Sequence, residues 1–84
     1  MPDFDLTAHA RTVIAERAIR EEWLQRVFLY PEKVESDRDD PALQHALGRI
    51  PEHGNRVLRI VYNQSVKPVR IVTAYFDRAR RDTL

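Results

Sequence analysis

Apolar positions recur at helical spacing in the first third of the chain and at every second position in the last third. Ala10, Val13 and Ile14 form a stripe with Arg11, Glu16 and Arg17 around it, and Thr7 stands just ahead as an N-cap. This spacing predicts a helix of about three turns. In the next segment Trp23, Leu24, Val27 and Phe28 fall at i, i+1, i+4 and i+5, with Glu21 and Glu22 at the positive end of the helix dipole. Pro31 stops this second helix, and a tight bend near Ala18 and Ile19 joins the two.

Beyond Pro31 the period changes. Residues 32–36 suit a short edge strand, and the acidic, turn-rich run SDRDDP follows. ALQHALGRI is ambiguous: its Ala, Leu and Gln favour helix, whereas Leu43, His45, Leu47 and Arg49 alternate onto one side as in a strand. RVLRIVYN and VRIVTAYF alternate clearly and are joined by a turn over residues 63–68, which predicts an antiparallel hairpin. In the second run strict alternation places Val69, Ile71, Thr73 and Tyr75 on one face and Arg70 on the other, with Thr73 and Tyr75 at the end of the core face.

The order α, α, β, β, β, β predicts an α+β fold with two N-terminal helices packed on one face of a three- to four-stranded antiparallel sheet. A length of 84 residues holds one domain, divided into a helical half over about residues 7–30, a sheet half over 32–76 and a basic tail over 77–84. A chain of this size buries only about 60% of its unfolded surface, so its core is thin.

Composition narrows the function classes. With 43% hydrophobic and 32% charged residues the chain is that of a globular domain. The absence of cysteine excludes disulfides, thiolate metal sites and a cysteine nucleophile. No apolar run approaches the roughly 20 residues of a membrane helix, and the acidic start lacks the features of a secretory signal, so a cytoplasmic location without membrane partners is expected. The net charge of +1 averages two unlike halves: residues 1–48 carry six Lys/Arg against ten Asp/Glu, and residues 49–84 carry eight against three. A basic sheet half can approach phosphate or an acidic partner.

The histidines do not form the i, i+4 pair of a helical zinc site, and no metal or cofactor is expected. His53, in PEHGN, reads as a solvated loop side chain. His9 falls in the first turn of the opening helix, where the dipole favours a neutral imidazole suited to general-base work or to simple capping. His45 and Arg49 share a face if their segment is a strand, roughly 13 Å apart at about 3.3 Å per residue. Arg59 and Arg70 stand within the two best strands, where guanidinium groups either bind phosphate or simply solvate the outer face. Tyr75 and Thr73 read as rim packing or as emerging hydroxyls. Arg78, Arg80 and Arg81 form a basic tail, either solvated or a phosphate-contacting arm.

TAHARTVIAERAIREEWLQRVFLYPEKVESDRDDP, HALGRIPEHGNRVLRIVYN and VRIVTAYFDRARR, in that order and spacing, resemble the domain-of-unknown-function family numbered 4258, over about residues 6–81. That family is similar in layout to the small RNA-cleaving folds typified by barnase and the RelE toxins. The resemblance implies a ribonuclease or the toxin of a toxin–antitoxin pair, and it carries over His9, Arg17, Thr73 and Tyr75, with His45 and Arg49 matched more loosely. RNA cleavage through a cyclic phosphate needs a base, an acid and fixed cations. His9 or His45 would supply the first two, with Thr73 and Tyr75 beside them, and Arg17, Arg49, Arg59, Arg70, Arg78, Arg80 and Arg81 would contact phosphate.

Two readings follow. One is a metal-independent endoribonuclease acting on RNA, with an acidic antitoxin-like protein as partner. The other is a non-catalytic module that binds RNA or protein, including one that homodimerises through a sheet edge or through Trp23 and Phe28.

Overall fold

The computed structural model describes residues 4–80 and residue 84. The chain runs through β1 (Phe4–Leu6), α1 (Ala8–Glu16), α2 (Glu21–Leu29), β2 (Lys33–Ser36), β3 (Leu43–Ile50), β4 (Arg56–Asn63) and β5 (Val69–Phe76), with 3-10 turns at Pro51–His53 and Arg78–Arg80. The α+β class is the one the pattern predicts.

The sheet departs from expectation. It has five strands in the order β1-β5-β4-β3-β2, and it is mixed, since β1 runs parallel to β5 while the other neighbours are antiparallel. The added strand precedes the helices and pairs Phe4 with Val69 and Leu6 with Ile71. Three residues are too few to display a period, which is why FDL reads as an acidic lead-in. The ambiguous segment is strand β3, paired with β2 on one side and β4 on the other.

Thr7 ties the first helix to the sheet. Its hydroxyl oxygen accepts the Ala10 N–H at 3.0 Å and donates to the Val72 carbonyl at 3.3 Å, while its own N–H reaches the Ile71 carbonyl at 3.1 Å. Helix α1 ends in a Schellman motif: the Ile19 N–H bonds to the Ile14 carbonyl at 3.0 Å and the Ala18 N–H to the Ala15 carbonyl at 3.2 Å. Ala18 takes the left-handed conformation this requires, with φ of 52°. The expected bend near Ala18 and Ile19 is this motif. Helix α2 has no side-chain cap, and Glu21 and Glu22 in its first turn offset the exposed N–H groups.

Ala10, Ile19, Trp23, Leu24 and Val27 bring both helices into one core with Ala46, Ile50, Leu58, Ile60, Ile71 and Ala74 of the sheet. Gly48 lets α2 approach β3: a Cβ there would stand 3.0 Å from Val27 Cγ2. Trp23 is 5% exposed, and the half-buried Phe28 packs edge-on against Phe4 and Tyr62.

A β-bulge overturns the expected alternation in β5. Val61 pairs with Thr73 but Tyr62 with Ile71, so Val72 is the extra residue. Ile71, Ala74 and Phe76 therefore face the helices, whereas Thr73 and Tyr75 lie with Val61 and Arg59 on the opposite face. That second face is not bare, since Leu47 and Val57 on it are fully buried. The segment read as a free basic tail begins with the Arg78–Arg80 turn, which packs on β4. Among the described residues no helix is long and apolar enough to cross a membrane.

Candidate functional site: an arginine groove backed by a polar network

Cross-strand register gathers charge on the second face. His45 stands opposite Glu35, Leu47 opposite Arg59, and Arg59 opposite Tyr75. Arg59, only 9% exposed, donates from Nε and Nη2 to Asp77 Oδ2 at 3.0 and 2.7 Å, and its Nη1 lies 2.7 Å from His45 Nδ1 and 3.5 Å from Glu35 Oε1. His45 Nε2 lies 2.7 Å from Asp37 Oδ1. Arg80 closes the network through Glu35 Oε2 at 2.7 Å.

The proton positions follow from what guanidinium can do. Arg59 has donors only, so His45 Nδ1 accepts from it and Nε2 carries the ring proton, which it gives to Asp37. The hydrogen bond from His45, with the Asp40 and Asp39 N–H groups, holds the Asp37 carboxyl below its ordinary value. Burial opposes the charge of Asp77, but the hydrogen bonds and charge of Arg59 outweigh it and keep that carboxyl low. Glu35 is likewise held low, burial again opposing and Arg80 prevailing with Lys33 and Arg59. Each member of this network is bonded to another member.

Asp77 also lines a groove of about 630 Å³, together with Arg17, Arg56, Tyr75, Phe76 and Arg78. β1 pairs only with residues 69–71 of β5, and among the described residues no further strand covers that edge beyond them. Arg17, at the C-cap of α1, reaches across the edge and donates from Nη1 to the Ala74 carbonyl at 2.8 Å. Phe76 enters from the helix-facing side and Tyr75 from the other, so the groove wraps the sheet's edge. Among the described residues neither Arg56 nor Arg78 is in an ion pair.

The residues singled out in the sequence divide accordingly. Arg17, Tyr75 and Arg78 meet in the groove. His45, Arg59 and Arg80 belong to the network behind it, where Arg59 is buried against Asp77 and Arg80 pairs with Glu35. Thr73 lies on the same face, opposite Val61. Arg49 and Arg70 are exposed on the sheet away from the groove, and Arg49 takes Glu32 as its neighbour. His9 is exposed on α1, on the helix side, so it does not converge with His45. Arg81 lies outside the described residues.

Other contributors were not legible in the sequence. Arg56 begins β4 and has no pattern to mark it, and Asp77 falls one residue past a strand whose facing was misread without its bulge. His53 is not a solvated loop side chain: its ring packs 5.1 Å from Trp23 and 4.8 Å from Phe76. Next to it, Arg26 grips Glu52 with two hydrogen bonds of 2.8 and 2.7 Å. That grip, aided by backbone N–H donation, holds the Glu52 carboxyl down to about 2. The Trp23 indole N–H, buried without a well-formed hydrogen bond, lies near enough to favour the same charge. Among the described residues no three His, Asp or Glu side chains are grouped to hold a metal ion.

Comparison with curated proteins and with solved structures gives no match. A family match covers residues 6–76, which takes in both helices, the whole of β2 to β5 and every described groove residue except Asp77 and Arg78. On that span the chain belongs to the family described as a domain of unknown function, DUF4258.

Proposed function

We propose that this domain binds the phosphodiester backbone of single-stranded RNA in the arginine groove and cleaves it without a metal ion. The observation that carries the reading is the meeting of Arg17, Arg56 and Arg78 with Tyr75 and Asp77 in one groove. Guanidinium groups match phosphate oxygens in bidentate fashion and balance the charge that grows on a phosphorane. Tyr75 supplies a transferable proton and Asp77 an acceptor. The resemblance to RNA-cleaving toxin folds points the same way.

In the proposed reaction the substrate 2′-hydroxyl gives its proton to the Asp77 carboxylate as its oxygen bonds to phosphorus. The bond from phosphorus to the 5′-oxygen breaks, and that oxygen takes the Tyr75 proton. The products are a 2′,3′-cyclic phosphate and a 5′-hydroxyl, after which Asp77 gives its proton to water and Tyr75 regains one from it. The depressed pKa of Asp77 makes it a weak base, so turnover is slow. His45 acts at a distance, as a positioning residue that steadies Arg59 and through it Asp77.

A second reading keeps the binding and drops the chemistry. It is favoured by the placement of both histidines outside the groove. Incubating the full chain with single-stranded RNA in EDTA separates the two. Cleavage to cyclic-phosphate ends, slowed about 10²-fold or more in Tyr75→Phe, supports the enzyme. Salt-sensitive binding that weakens in Arg56→Ala, without cleavage, replaces it with the binding module. Absence of both binding and cleavage removes both readings.

A further inference from the structure

The groove borders an aromatic stack that the proposed chemistry does not use. Phe76 belongs to both: it lines the groove, and its ring lies 4.8 Å from His53 and 6.0 Å from Trp23. The His53 ring sits 5.1 Å from Trp23 and tilts 36° from it, and the Arg20 guanidinium lies over the Trp23 ring with Cζ 5.8 Å from its centroid. The three ring centroids form a triangle, with Phe76 meeting Trp23 edge-on. Trp23 is buried in the core, whereas His53 and Phe76 are half-exposed toward the side where Arg56 starts β4. Neither ring nitrogen of His53 is hydrogen-bonded among the described residues.

We infer that the groove is a nucleotide subsite in which a splayed base stacks on Phe76 and His53 while its phosphate lies against Arg17, Arg56 and Arg78. This deepens the reading of the groove as an RNA site and rests on it. A phosphate-only ligand would engage the three guanidinium groups but leave the half-exposed rings of Phe76 and His53 beside them uncontacted. A base can lie against the half-exposed rings of this cluster, since every base offers a π-face, and the free nitrogens of His53 can meet its polar edge. Such a subsite takes single strands, because a base paired in a duplex cannot turn out onto the shelf without the cost of unstacking.

The chain's sole tryptophan is part of the stack and reports on it. The test titrates the full chain, at fixed salt, with a 2′-O-methyl octanucleotide that cannot be cleaved through the 2′-oxygen, with an abasic strand of equal length and charge, and with a duplex. The expected result is that the intact single strand binds about tenfold or more tightly than the abasic strand and alters Trp23 fluorescence, which the abasic strand does not. His53→Ala should bring the two affinities together by weakening only the intact strand, and His53→Phe, which retains a ring, should restore the difference. Equal affinities for intact and abasic strands in the unmodified protein would overturn the base shelf while leaving the phosphate groove standing. Failure of every strand to bind would overturn both.

Discussion

Arg59 Nη1 lies 2.7 Å from His45 Nδ1, and this contact settles which imidazole nitrogen carries hydrogen. A proton on Nδ1 would face a guanidinium N–H head-on, so the ring hydrogen sits on Nε2, directed at Asp37. Long-range proton–nitrogen NMR at pH 7 should therefore show Nε2 as the protonated nitrogen of His45 and Nδ1 as the bare one. The opposite pattern, or two protonated nitrogens, would mean that the Arg59 contact does not persist in solution.

Arg59 matters more for stability than an ordinary surface arginine. Removing it leaves Asp77 half-buried without its hydrogen-bonded guanidinium, and Arg59→Ala should cost about 3 kcal/mol in chemical denaturation. The double variant Arg59→Met with Asp77→Asn should cost clearly less than the sum of its single changes, because neither partner is then left charged and alone. Strict additivity would show that the pair is not coupled.

Acid should unfold the protein through carboxylates held low in the folded state. For Glu52, Asp77, Asp37 and Glu35 the folded value lies below the ordinary one, so their contribution is fully present above about pH 5 and is lost as pH falls through the folded values. Melting temperature should be level from pH 5 to 7 and drop steeply from about pH 4 toward 2. Glu52→Gln should lower the pH 7 value and flatten part of that drop. A Glu52→Gln curve parallel to the original would show that the Arg26 pair contributes nothing.

Ala18 holds φ of 52°, a conformation that strains any residue with a Cβ. Ala18→Gly should relieve this strain at the cost of greater freedom in the unfolded chain, for a net gain of about 0.5–1 kcal/mol. A loss of stability would argue that the Schellman turn is not maintained.

Gly48 carries the opposite constraint, one of space. Gly48→Ala should cost about 1–3 kcal/mol by pressing on Val27, and adding Val27→Ala should recover part of the clash despite the smaller core. Additive losses would place the strain elsewhere.

Both helices could be read from their stripes and caps because Thr7, Ala10 and Pro31 act locally. The two long strands of the last hairpin were equally plain. What escaped depends on contacts that a period cannot encode. β1 is a strand only because β5 lies beside it, and Val72 is extra only because β4 offers it no partner. That one inserted residue turned Thr73 and Tyr75 to the opposite face, and with them half of the candidate site. The arginines were visible as cations, but nothing local told Arg59, which meets Asp77 across strands, from Arg56, which meets no described carboxylate.

Thr7 bonds to the carbonyl of Val72, 65 residues further along the chain. On the ribosome the opening strand and the helix cap must wait, with this contact unmade, until nearly all of the described chain has emerged. Such distant partners slow folding, because the loop between them must close before the contact gives any return. Any truncation that removes β5 strands the first segment of the chain as well as the last. A nascent or prematurely terminated product would therefore hold neither a finished sheet nor a groove.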